Sequence, residues 1–171
     1  MKAKTKNKIS TGKKGNISNI VVTDKQSFYF SFLILFLLSF FYFLFFGHYV
    51  FFYQENRLLF IYSCEFFEKF ANKPGGLLEY TGLFLTQAYY SNFYGSFLVS
   101  VLLLLIAFVY NKIIKIILHS GTSSMFLIIL PSSLLLLMQA NIYWAVQYNL
   151  GLLLSLLYFY FLITSDNRSL P

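Results

Sequence analysis

Four of the six acidic residues, Glu55, Glu65, Glu68 and Glu79, fall within residues 53–80, which read YQENRLLFIYSCEFFEKFANKPGGLLEY. A carboxylate in such a position can serve as a general base, hold a cation, or simply keep a helix face in water. Leu59, Tyr62, Phe66 and Phe70 recur at spacings of three or four, with Glu65, Glu68 and Lys69 opposite them. That pattern predicts an amphipathic helix over 57–72, lying along a membrane surface with its acids solvated. Glu79 falls in the first turn of a second predicted helix over 77–90, where the helix dipole favours a negative charge. Glu55 remains as the candidate catalytic residue. It directly follows a long uncharged run, at the level where headgroups would meet water, and it reads either as a catalytic or cation-binding carboxylate or as a flanking charge that stops a helix. Gln54 precedes it and Asn56 follows it, so it is not part of an acidic pair.

The other residues that could do chemistry are scattered. His48 and His119 lie far apart with no carboxylate beside either, and the single cysteine, Cys64, has no partner with which to form an intrachain disulfide. The chain contains no phosphate-binding glycine loop, no dinucleotide fingerprint and no serine-nucleophile elbow. No residue pattern specifies a cofactor or a metal.

The elements that must position Glu55 are set by hydrophobicity. At 58% hydrophobic and 11% charged residues, the chain carries less than half the charge of an average soluble domain, and its long apolar runs mark an integral membrane protein. Residues 1–26 form a basic tail, with seven Lys against Asp24. A tail of that kind ahead of an apolar run is a topology signal and does not call for nucleic acid. Residues 27–53 hold no charge and predict transmembrane helix 1. The run is too long for a cleaved signal peptide and ends without a small-x-small site, so it reads as a signal anchor. An outer loop with the two amphipathic helices covers 54–92, and transmembrane helix 2 covers 93–110. A cytoplasmic loop follows over 111–123, in which residues 113–118 read as interfacial. The block 124–164 is twice the length of one span and predicts a hairpin of helices 3 and 4, turning near Gln139–Tyr143, with Pro131 kinking helix 3. Residues 165–171 form the cytoplasmic end.

The expected fold class is therefore all-α, with four transmembrane helices and two interfacial helices in the first outer loop. Placing both termini in the cytoplasm puts ten Lys and Arg inside and three outside, as the positive-inside rule requires. The predicted location is a bacterial inner membrane. Gln139, Asn141, Gln147 and Asn149 either line a polar pocket between helices 3 and 4 or mark and cap the turn that joins them. Gly151 and Ser155 make a small-xxx-small pair suited to close helix contact, including contact with a partner.

The elements YQEN, NKPGGLLEYTGLFLTQAYYSNFYGSFL and LPSSLLLLMQANIYWAVQYNLGLLLSLLYF resemble the N-terminal third of an uncharacterised multi-pass membrane protein family of Bacteroidota, over about residues 27–165. That resemblance implies a chain that is the front part of something longer, or one piece of a split protein. The order of a first helix, an acid at its outer end and a loop of surface helices is also similar to the opening of GT-C membrane glycosyltransferases. The similarity implies sugar transfer from a polyprenyl-linked donor in envelope glycan synthesis, with Glu55 as general base or metal-binding acid. The alternative expectation is a non-catalytic scaffold or partner subunit of an envelope complex.

Overall fold

The structure is a computed structural model. It describes the backbone of residues 16–57, 60–118 and 125–169, and within these the side chains of 29–56, 60–118 and 129–165. The basic run Lys2–Lys14, Leu59 and His119 lie outside the described residues, as do the side chains of Arg57 and Arg168. All regular structure among the described residues is helical.

Helix α1 (Asn16–Phe45) is followed by α2 (His48–Arg57), and the two axes meet at 67°. The sequence predicts one span over 27–53, whereas the structure bends it sharply. The cause is local. The N–H groups of Phe46 and Gly47 both donate to the Tyr42 carbonyl, at 2.8 and 3.0 Å, which ends the regular ladder in a wider turn. A Cβ on Gly47 would lie 2.5 Å from the Phe43 ring, so only glycine lets the chain fold over that side chain.

Residues 60–63 are not helical, and α3 covers only Cys64–Ala71. The helix expected from residue 57 starts late because the Ser63 hydroxyl accepts from the Phe66 N–H at 3.1 Å, an N-cap that fixes the start. Phe66 and Phe70 pack against Tyr80, while Glu65, Glu68 and Lys69 are exposed. The chain then turns through Pro74 and Gly75 into α4 (Gly76–Thr86) and a 3-10 turn (Gln87–Tyr90).

Helix α5 (Asn92–Ile117) is the centre of the bundle, with α1, α6 and α7 against it. It runs a further two turns beyond the predicted end at Tyr110. Asn111, Ile113 and Ile114 are buried while Lys112 and Lys115 are exposed, so residues 113–117 continue the helix and do not form a separate segment. Ser39, Ser96 and Ser100 are fully buried, and each hydroxyl donates to a carbonyl of its own helix at 2.7–3.0 Å. Their polarity is satisfied without a partner helix, which leaves small surfaces for close packing. The core joins Phe43, Phe51 and Tyr89 to Val99, Leu103 and Ile106.

Helix α6 (Met125–Gln139) contains Pro131, and after a turn over 140–145 the chain continues as α7 (Val146–Ser169). The hairpin turn therefore falls where Gln139 and Asn141 interrupt the apolar pattern. Helix α4, expected at a membrane surface, packs on α7. Gly82 sits against Gln147 and Leu78 against Gly151. Gly151 is thus filled from within the chain, and Ser155 is exposed with its hydroxyl donating to the Leu152 carbonyl.

Among the described residues, α5 and α7 are long and apolar enough to cross a membrane, and the bent α1–α2 pair makes a third if it counts as one span. Helix α6, with 15 residues, is about 22 Å long, short of a bilayer core of about 30 Å. A Cβ on Gly82 would lie 2.6 Å from the Gln147 Cβ and 3.2 Å from its Cα. Gly82→Ala should therefore force α4 off α7 and cost about 1–3 kcal/mol, read as a lower melting temperature in lipid nanodiscs. Ser155→Ala should leave it unchanged.

Candidate functional site

The polar chemistry of the chain converges where α2 crosses the turn between α6 and α7. A turn of this kind exposes carbonyls that have left one helix and not entered the next, and α2 supplies donors to them. Val50, Phe51 and Gln54 share the buried face of α2 by helical spacing. The Gln54 amide, 2% exposed, donates to the Trp144 carbonyl at 2.8 Å and to the Ile142 carbonyl at 3.3 Å. One turn earlier the Tyr49 hydroxyl donates to the Ala140 carbonyl at 3.1 Å, and Tyr53 meets Tyr143 edge-on.

Behind these contacts lies a second layer. The Trp144 indole N–H donates to Asn149 Oδ1 at 3.0 Å, and the Asn149 amide donates to Gln139 Oε1 at 2.6 Å. Gln139 and Asn149 are both essentially inaccessible. These two amides bind each other and the Trp144 side chain of the turn, and so tie the ends of α6 and α7 together. Two atoms of the network keep no partner among the described residues, the Gln54 Oε1 acceptor and the Gln139 Nε2 donor.

Glu55 follows Gln54 on α2 and is half-buried. Because successive helical residues point about 100° apart, pinning Gln54 inward holds Glu55 at the rim of this cap. Glu65, Glu68 and Glu79 stay exposed on α3 and α4, as do His48 and the free thiol of Cys64. The described residues include no group of three or more His, Cys, Asp or Glu placed to hold a metal. Gln54 is the residue that sequence reasoning passes over. Its signal was its register with Val50 and Phe51, which puts an amide on an apolar face.

Tyr89 packs on Phe51 with ring centroids 4.6 Å apart and has an unpaired buried hydroxyl. Burial holds its phenol above the ordinary value of 10.0. Above about pH 10 the unfolded phenol ionises while the folded one stays protonated, so the unfolded state binds fewer protons and stability falls as pH rises. Tyr89→Phe should remove an unsatisfied group, raise the melting temperature at neutral pH, and flatten the loss of stability above pH 10. Gln54→Leu should act oppositely. It leaves the Ile142 and Trp144 carbonyls without their donor and should cost about 1–3 kcal/mol, with a shift in Trp144 fluorescence as the local reporter.

No curated protein and no solved structure matches the chain. Residues 25–170 match the model of a family of unknown function, DUF6057. The match covers most of the chain, which therefore belongs to that family.

Proposed function

We propose that this chain is a helical membrane module whose role is structural, acting as a scaffold or partner subunit in an envelope complex of the bacterial inner membrane. The observation that carries this reading is the fate of the polar side chains. Gln54, Gln139 and Asn149 are buried, and the hydrogen bonds they do make run between α2, the α6–α7 turn and the two helices it joins. In a membrane protein, polar groups that face a pathway or ligand mark function, and here they face one another.

A second reading is favoured by the position of Glu55. Among the described acids it is the one that is half-buried, and it rests on an anchored helix, a support that would hold a general base in place. In this reading Glu55 polarises an acceptor hydroxyl during sugar transfer from a polyprenyl-linked donor, and the cap faces outward with both termini cytoplasmic. One pair of substitutions separates the two. The structural reading expects Glu55→Gln to leave growth and co-purifying partners of the host protein intact while Gln54→Leu releases the partners. If Glu55→Gln abolishes function while expression, insertion and partners are unchanged, the catalytic reading replaces it.

A further inference from the structure

Exposed tyrosines gather at one end of the bundle. The Asn92 amide donates to the Leu44 carbonyl at 2.8 Å, so α5 starts beside the bend that closes α1, and α2 carries that level across to the α6–α7 turn. Six tyrosines stand there, Tyr49 and Tyr53 on α2, Tyr90 and Tyr94 on either side of the Asn92 contact, Tyr143 in the turn and Tyr148 in the first turn of α7. All are 42–85% exposed. One turn or more deeper, the exposed large side chains are hydrocarbon, with Phe41 on α1, Phe97 on α5, Leu134 on α6 and Leu152 on α7. On these helices exposed tyrosine next occurs at Tyr29 and Tyr158, roughly 15 Å or more further along.

We propose that these tyrosines form a ring that seats the cap end of the bundle in the phospholipid headgroup layer, with α2 lying within that layer. The inference rests on α5 and α7 crossing a bilayer. Two bounds on α2 select this occupant. Val50, Phe51 and Gln54 face inward, which leaves Phe52 on the opposite side at 70% exposure, flanked by Tyr49 and Tyr53. Such an aromatic face is unfavourable in bulk water. Asn56 on the same side is exposed and Glu55 is half-buried, and hydrocarbon would leave both without water. The layer between the two solvents satisfies both, and tyrosine matches it with an apolar ring and a polar tip. The 67° bend agrees, since an α1 that crosses the bilayer turns α2 toward the membrane plane. A protein partner would cover one patch, whereas these rings are spread at one level over α2, the 3-10 turn, α5 and the α6–α7 hairpin.

The test uses the full chain in vesicles of phosphatidylethanolamine and phosphatidylglycerol. In a Cys64→Ser background, a nitroxide is attached through Phe52→Cys on α2 or Leu105→Cys midway along α5. Its relaxation by oxygen, which concentrates in hydrocarbon, is compared with that by a water-soluble nickel chelate. The label at position 105 should be relaxed mainly by oxygen, and the label at position 52 by both reagents to within about threefold, the balance of an interfacial site. Tyr90→Leu with Tyr94→Leu removes two polar tips and keeps apolar bulk, so the cap should sink and the oxygen-to-nickel ratio at position 52 should rise about twofold. Relaxation at position 52 by nickel alone places α2 in water and overturns the proposal, as does relaxation by oxygen alone, or shielding from both, which marks a protein contact. An unchanged ratio in the leucine pair shows that the tyrosines do not set the depth and overturns the ring. Relaxation at position 105 mainly by nickel would instead show that α5 does not cross the bilayer, and the proposal falls with that reading.

Discussion

The cap depends on one side-chain amide. Gln54 sits on the apolar face of α2 and gives both of its N–H groups to carbonyls of the α6–α7 turn. Where water is excluded, a carbonyl without a donor is costly, so the turn is held in the conformation that Gln54 can reach. The same contact sets the direction of α2, which in turn puts Phe51 between Phe43 and Tyr89. The bend at Gly47 permits this arrangement, and Gln54 selects it.

Much of the chain's organisation is legible in its residues. The block 124–164 is too long for one span, and Gln139 and Asn141 are the polar residues at which it can turn, so the hairpin could be placed. The bend in the first apolar run could not. Residues 27–53 are uncharged throughout, and the break depends on a contact between Gly47 and Phe43 that only the folded backbone creates. The late start of α3 shows a different conflict. Leu59 and Tyr62 continue the helical period of Phe66 and Phe70, yet a capping hydroxyl at Ser63 outweighs that period. At the candidate site, charge drew attention to Glu55, while the neighbouring Gln54 makes the contacts. An amide gives no signal by composition, and its burial follows only from its register on α2. The expectation of an uncharacterised family agrees with the family of unknown function that residues 25–170 match.

The bundle also separates two uses of polar side chains in apolar surroundings. Serines on α1 and α5 return their hydroxyls to their own helices and so behave as small residues. The amides at the cap work between elements, joining parts of the chain about 90 residues apart. The first use lets helices approach, and the second specifies which ends meet. Helix α7 needs the second most, because only 11% of its spanning window is buried, against 56% for α5. Beyond its packing on α5, its place is fixed near its first turns by Asn149 and by the contact of Gly82 with Gln147.

The 67° bend has a further consequence for how the chain meets a bilayer. An uncharged run from Ser27 to Tyr53 would measure about 40 Å as one straight helix, well beyond a hydrocarbon core of about 30 Å, and a straight helix must tilt to hide the excess. Bending at Gly47 shortens the axial stretch to Ser27–Phe45, about 28 Å, and turns the surplus residues sideways as α2. The excess length becomes a lateral arm. Helix α5, with 26 residues and no such bend, must accommodate a similar excess by tilt, with exposed Lys112 and Lys115 near one end able to reach toward water. A change in bilayer thickness therefore acts on the tilt of α5 first, while the depth of α1 stays set by where glycine lets it turn.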